Sequence, residues 1–258
     1  MKTTVQRLRH VLQVLGPAVA GKKAFLPILR NVVVGQGRAW AGDLETAVII
    51  DMAEAVEEPV LLPYIHLSAL LKKIPGATPL TIDRDGNRIK LTVGSIRAEY
   101  PVPGEAADFP FLPPLGSVSG GQVDADLFLK TAGAVSEYAA SDGSRPVLEC
   151  VCITLGDPIE MAGADGFRLA WGKLPMGLAA QDNTLKQLLV PTAAVHILAK
   201  VWKVTEKHPT ADSGHMAALK FTKDALTFQH GAVTVRIKLA GGQFPVYEDL
   251  IPKEFPHK

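Results

Sequence analysis

Cysteine is nearly absent: the 258 residues hold two, Cys150 and Cys152. Two apart in an apolar stretch, they fall on the same face of a strand, where no strain-free disulfide can join them. No other cysteine and no histidine close in sequence completes a metal site around them. A chain so poor in thiols is expected in a reducing compartment, the cytoplasm. An excess of either charge is missing too. Against 27 basic residues stand 26 acidic ones, a net charge of +1, so the total points to neither a polyanion nor an acidic partner, and only the distribution of charge can speak. No apolar run approaches the ~18 residues of a membrane span. The opening "MKTTVQRLRHVL" carries charge where a signal peptide would be apolar, so no membrane association is expected.

The motifs of catalysis are also missing. There is no phosphate-cradling loop ending in Lys-Ser or Lys-Thr, no His-Glu-x-x-His helix and no Gly-x-Ser-x-Gly elbow. "DRDGNR" at 83–88 begins like a calcium loop, but Gly94 stands where the bidentate glutamate belongs; it reads as a hairpin turn. "GGQF" at 241–244 does not open a helix and reads as a bulge or turn. Neither an enzyme nor a cofactor is expected. Zinc-finger spacing, an RNA-binding signature and a basic zipper are likewise lacking.

What the sequence does have is a long repeat. "LPILRNVVV" at 26–34 answers "RPVLECVCI" at 145–153, and "AGDLETAVII" at 41–50 answers "GADGFRLAW" at 163–171. "LLPYIHLSALLKKI" at 61–74 answers "LLVPTAAVHILAKVW" at 188–202, and the blocks keep the same order in both halves. A period of about 120 residues exceeds the ~50 of solenoid units and indicates domain duplication. The Pro, Gly and Ser cluster "LPPLGSVSGGQ" at 112–122 sets the boundary, giving domains 1–118 and 119–258.

Each half holds two amphipathic helices among short alternating strands, which predicts an α+β fold of two tandem domains, each with two helices packed on antiparallel sheets. The stripes expected to face the sheets are Val5, Leu8, Leu12 and Leu15; Leu67, Leu70 and Ile74; Leu127, Thr131, Ala134 and Tyr138; and Val195, Leu198, Trp202 and Thr205.

Charge is distributed unevenly over these helices. Residues 5–15, 66–74 and 192–205 contain Arg7, Arg9, Lys72, Lys73, Lys200 and Lys203, with His10, His66 and His196, and no acid. His196, Lys200, Lys203 and Lys207 are spaced so that at ~100° per residue they share an arc of roughly 60°, opposite Leu198 and Trp202. A lysine run on one helix is ordinarily a solvated face. Three helices cleared of acids point instead to phosphate contact, and without interleaved aromatics that contact carries no base readout.

The phrases "LPILRNV", "AGDLETAV", "ADFPFLPPL", "SRPVLECV", "ADGFRLAWGKLP", "LLVPTAAVHIL" and "GGQFPVYEDLIP" resemble the successive signatures of the bacterial DNA polymerase III beta subunit, the sliding clamp. The resemblance covers essentially the whole chain. It implies clamp domains, three to a protomer, forming a ring whose helices surround duplex DNA. It also implies a groove that holds short peptide motifs of the polymerase, the clamp loader and repair proteins, formed here by Leu148, Gly166, Phe167, Arg168, Leu169 and Pro252. Phe167 stands where the family often has His, which makes the groove more apolar. The first-half copy, Asp43 and Leu44, is expected to be structural only. For DNA contact the resemblance implies Lys23, Lys72 and Arg145, which join Lys73 and the stripe of His196, Lys200, Lys203 and Lys207 reached from charge placement.

The sequence stops at "LIPKEFPHK", where a third domain would begin in that family, so a two-domain version is expected. Three copies would supply six domains. The strands near 147–155 and 96–102 are expected to lie unpaired in the monomer and to pair between copies. The alternative is a clamp-fold regulatory module that binds peptides or a partner protein without encircling DNA.

Overall fold

The computed structural model describes the chain apart from residues 22–23, 54–57, 113–114, 116–117, 182–183, 207–213, 248, 250 and 252–258. The first half runs β1 (Lys2–Thr4), α1 (Val5–Leu15), β2 (Asn31–Gly35), β3 (Arg38–Gly42), β4 (Thr46–Asp51), β5 (Val60–Pro63), α2 (Tyr64–Leu71), β6 (Pro79–Asp85), β7 (Arg88–Val93) and β8 (Ile96–Pro101). The second half repeats that order: β9 (Ser119–Asp124), α3 (Ala125–Ser136), β10 (Cys150–Thr154), β11 (Ile159–Ala164), β12 (Leu169–Leu174), β13 (Gln187–Pro191), α4 (Thr192–Thr205), β14 (Met216–Phe221), β15 (Ala225–His230) and β16 (Val233–Lys238). The first helix of each half starts where a strand ends on a capping side chain. Thr4 accepts from the Arg7 amide at 3.4 Å and Asp124 from the Leu127 amide at 2.9 Å, each satisfying one otherwise unpaired donor. The second helix of each half follows a proline, Pro63 or Pro191, that closes the preceding strand.

All pairings are antiparallel. Two four-stranded sheets, β1-β6-β7-β8 and β12-β11-β10-β13, flank an eight-stranded sheet, β5-β2-β3-β4-β16-β15-β14-β9. The halves therefore meet edge to edge, where β4 pairs with β16 in the register Val233↔Ile50 through Ile237↔Thr46. Val48, Ile50, Val235 and Ile237 on the helix side of this joint are buried in the main core, together with the sheet-facing stripes of α1 and α4. The segment leaving the first half is fastened there as well. Arg236 of β16 donates to the Leu112 carbonyl at 3.0 Å, lies 5.1 Å from the centre of the Phe111 ring, and Phe111 meets Trp40 edge-on at 5.8 Å.

Two expectations are corrected. The strand at 147–155 is not an unpaired edge: β10 bonds to β11 on one side and β13 on the other. Its Cys-Val-Cys-Ile run is buried on both faces, the signature of an interior strand. The free edge on that side of the molecule is β12, which pairs with β11 alone among the described residues. The strand at 96–102 is an edge as expected, since β8 pairs with β7 only.

The second correction concerns α3. Its buried stripe is Phe128, Leu129, Ala132 and Val135, whereas Leu127, Ala134 and Tyr138 are exposed. Both stripes are apolar at helical spacing, so periodicity alone does not choose. Asp124 as cap puts Phe128 at the position Leu8 holds in α1, and burying the larger ring fills the core.

Candidate nucleic-acid face and peptide groove

The basic residues of the first and second halves converge. A hollow of about 610 Å³ between α1, α2 and α4 is lined by Gln13, Tyr64, Ser68, Lys72 and Lys203 among others. Lys73, in the turn that follows α2, and His196 and Lys200 on α4 are exposed. Among the described residues none of Lys72, Lys73, Lys200 and Lys203 enters an ion pair. Like charges gathered without counter-charges do nothing for stability, and they create a positive field that a polyanion would satisfy. Asp126 of α3 is engaged elsewhere: its carboxylate accepts from the Trp202 indole at 2.7 Å and sits 2.8 Å from His215.

Not every basic residue counted in the sequence is available. Arg9 turns back and donates to the carbonyls of Leu71 and Ile74, both at 2.6 Å. It thereby bonds carbonyls at and just beyond the end of α2, where a cation also suits the helix dipole. His196 lies on the exposed face, 3.5 Å from the Ser136 hydroxyl. Arg145 lies in the segment before β10, and its side chain reaches the β11–β12 hairpin described next. Lys23 and Lys207 lie outside the described residues.

The hairpin between β11 and β12 is built around Asp165. One carboxylate oxygen accepts from the amides of Phe167 at 2.9 Å and Arg168 at 2.8 Å, and the other takes the Arg168 guanidinium at 2.7 and 2.9 Å. The two backbone donors first, and then the Arg168 side chain, hold the Asp165 carboxyl down at about 2. Gly166 occupies φ +94°, a conformation that favours glycine, and an added Cβ would stand 2.5 Å from the Arg145 guanidinium. Arg145 in turn donates to the Asp165 carbonyl at 2.9 Å. Arg168 lies 5.6 Å from the centre of the Tyr138 ring.

Beneath this hairpin is an apolar cluster. Leu148, Cys150, Cys152, Ala162, Leu189, Phe244 and Tyr247 are buried, with Val147, Leu169 and Ile251 packed partly exposed against them. Neither cysteine is in a disulfide, and burial, helped by nearby carboxylates, pushes the Cys150 thiol up to about 11, so Cys150 is a packing residue and not a nucleophile. Phe167 projects from the rim, 96% exposed. The structure thus brings Leu148, Gly166, Phe167, Arg168 and Leu169 together. Pro252 lies outside the described residues. Phe244 and Tyr247, from "GGQFPVYEDLIP", were not singled out in the sequence although their phrase was.

The first half repeats the turn. Asp43 accepts from the amides of Glu45 and Thr46 at 3.1 and 2.9 Å, and Leu44 takes φ +86° where Gly166 sits in the second half. Here the turn leads into the β4·β16 joint, and the left-handed backbone at Leu44, whose side chain is exposed, is held by the two amide bonds to Asp43.

Two copies of one α+β unit joined edge to edge, with their basic helices gathered about a shared hollow, define a pair of clamp-type domains. Residues 122–246, a little under half of the chain, match the DNA polymerase III beta subunit, central domain. It is 27% identical over 239 residues to the beta sliding clamp of Synechococcus elongatus, a match covering 89% of this chain and 61% of that protein. With the beta sliding clamp of Caulobacter vibrioides it shares 22% identity over 268 residues, 98% of this chain and 69% of the relative. Among solved structures, the DNA polymerase III subunit beta from Pseudomonas aeruginosa superposes with a TM-score of 0.84 at 21% identity over 98% of this chain and 68% of that one. The sliding clamp from Bacillus subtilis gives 0.82 at 18%, covering 98% and 67%. The chain spans 61% of the length of the Synechococcus relative.

Proposed function

We propose that the chain is a DNA sliding clamp: it encircles duplex DNA without reading its sequence and tethers a polymerase, a clamp loader and other proteins through short peptides bound in the hairpin groove. The observation that carries this reading is the convergence of Lys72 and Lys203 from the two halves on one hollow, with Lys73, His196 and Lys200 exposed beside them. The division at residues 118 and 119 makes each half one clamp domain, so three copies supply six domains for a closed ring. The role is that of a processivity factor in the cytoplasm, and it assigns the chain no reaction, metal or cofactor. Lys23 and Lys207 join the DNA-contacting set. Arg145, proposed for DNA contact from the resemblance, is better supported as a brace of the hairpin.

A ring is retained on nicked circular DNA and slides off linear DNA with free ends, whereas a surface binder treats the two alike. Retention on the circle alone is the expected result; equal behaviour overturns encirclement. Light scattering should give a mass three times the chain's 27.5 kDa. The second reading, a peptide-binding regulatory module, is supported by the apolar cluster of Leu148 and Leu169 beneath the Asp165 hairpin and predicts peptide binding with no topological retention on DNA.

A further inference from the structure

We propose that the joint between the halves, on the face of the eight-stranded sheet turned away from the helices, holds a binding site for a compact polyphosphate: inorganic pyrophosphate or the phosphate tail of a nucleotide. The inference goes beyond the clamp reading and does not depend on it. The strand register places the site. Val48, Ile50, Val235 and Ile237 are buried on the helix side, so the residues that alternate with them, Ile49, Asp51, Thr234 and Arg236, point to the opposite face. A hollow of about 300 Å³ lies there, lined from the first half by Arg38 and Asp51 and from the second by Lys220, Thr227, Gln229 and Arg236. Leu115 and Val118, from the segment that connects the halves, form its apolar side.

Three cations share this hollow with one acid. Asp51 is taken up by Arg38, whose Nε stands 3.0 Å from its carboxylate. Arg236 donates to the Leu112 carbonyl at 3.0 Å and lies over the Phe111 ring, and neither is a counter-charge. Lys220 is exposed and enters no ion pair among the described residues. Two positive charges are therefore left without a partner. Burial first, and then the Arg38 guanidinium, hold Arg236 below the usual arginine range. An anion bound between these groups relieves a repulsion built into the joint.

The arrangement favours phosphoryl groups over a carboxylate. Lys220 pairs with Thr227 and Thr227 with Arg236, so the three form one row across β14, β15 and β16. The two cations sit two strand spacings apart, ~10 Å at the backbone, and their long side chains close from both ends on an anion held over Thr227. Thr227 is only 7% exposed, and its hydroxyl makes no hydrogen bond among the described residues, so an oxygen-rich ligand supplies the missing partner. Gln229, two residues on and on the same face, adds an amide donor. Cations at two ends with neutral donors between them match an anion of two charge centres and many acceptor oxygens, whereas a carboxylate offers one charge and two oxygens. Because both halves contribute, the site exists only while β4 and β16 are paired.

Isothermal titration calorimetry of the full chain, in phosphate-free buffer at low salt, tests the site with sodium pyrophosphate, ATP and inorganic phosphate. Pyrophosphate should bind once per chain and at least ~10-fold more tightly than inorganic phosphate, which reaches only one of the two cations. ATP binding as tight as pyrophosphate identifies the nucleotide tail as the ligand, and weaker ATP binding identifies free pyrophosphate. Thr227→Val removes the hydroxyl at nearly constant shape, and Lys220→Gln removes an exposed charge. Each should weaken pyrophosphate ~10-fold or more, the scale of one hydrogen bond to a charged group, while unliganded melting and the salt slope of DNA binding stay where they were. Pyrophosphate should also raise the melting temperature of the parent chain, since it binds only the folded joint. No saturable binding, or parent-like binding by both variants, overturns the proposal. Binding lost in Lys72→Glu/Lys203→Glu but kept in Lys220→Gln overturns it by placing the anion on the helix face. Tighter binding of a hexaglutamate peptide than of pyrophosphate overturns it by making the hollow a peptide site.

Discussion

Lys72, at the end of α2 in the first half, and Lys203, on α4 in the second, line the same hollow although 131 positions separate them in the sequence. Neither forms an ion pair among the described residues, so both are available to a phosphate. Replacing both with Glu should weaken DNA binding and flatten the dependence of log K on log salt by about 0.9 for each lost phosphate contact. A titration of binding between low and moderate salt reads the slope; an unchanged slope would show that the hollow faces something other than DNA. Melting should move little, because exposed substitutions usually stay within ~0.5 kcal/mol.

Arg9 should behave in the opposite way. Its two bonds to the Leu71 and Ile74 carbonyls are charge-assisted, so Arg9→Ala should cost about 1.5–3 kcal/mol of stability and leave the salt slope of DNA binding where it was. Denaturant unfolding and the same salt titration measure the two quantities side by side.

At the hairpin, a short peptide with leucine and phenylalanine anchors is expected to bind the parent chain at about micromolar strength, and Phe167→Ala and Leu169→Ala should each abolish that binding. DNA contact should be retained. Fluorescence anisotropy of a labelled peptide, set against the DNA titration, checks both. Loss of both activities in a folded variant would count against separate sites.

Gly166→Ala addresses the frame of that groove. The new Cβ meets the Arg145 guanidinium and a backbone at φ +94°, so the hairpin must shift. A loss of about 1 kcal/mol or more in stability is expected, with weaker peptide binding. The double variant Gly166→Ala/Arg145→Ala should recover only the part due to the collision.

Asp165 gives the pH prediction. Its carboxyl is held at about 2 in the fold, below the ~3.9 of an unstructured aspartate. A depressed value means that the ionised form is favoured in the native state. The contribution of Asp165 is therefore complete above pH ~4 and is lost as pH falls through about 2. Between pH 5 and 8 the hairpin should be indifferent to pH on this account. Carbon-detected NMR titration of the Asp165 carboxylate reads the midpoint, and a midpoint near 4 would mean that the Asp165 bonds do not persist in solution.

Local patterns account for much of this architecture. The spacing of Val195, Leu198, Trp202 and Thr205 phases α4 correctly: all four are buried, and His196, Lys200 and Lys203 are exposed. The same rule misphased α3, because "ADLFLKTAGAV" is apolar on two adjacent stripes and only the alignment of Phe128 with Leu8 distinguishes them. Arg9 and Arg145 could not be sorted from the free cations, since their partners lie 62 to 65 and 20 residues away. The Asp165 turn was legible as Asp-Gly, but the support given by Phe244 and Tyr247 comes from a distant segment whose direction no local pattern specifies. The mistaken edge at β10 has the same origin: an apolar run indicates burial, and which neighbours provide it is a matter of topology.

The clasp of Arg236 on Leu112 and Phe111 has a mechanical consequence. It binds the covalent crossing between the halves to the strand pair it spans, so separating β4 from β16 requires peeling away the tether as well. A seam between copies has no such crossing. In a ring made of this chain, opening to admit DNA would take place at a seam, with each two-domain arc moving as one stiff piece.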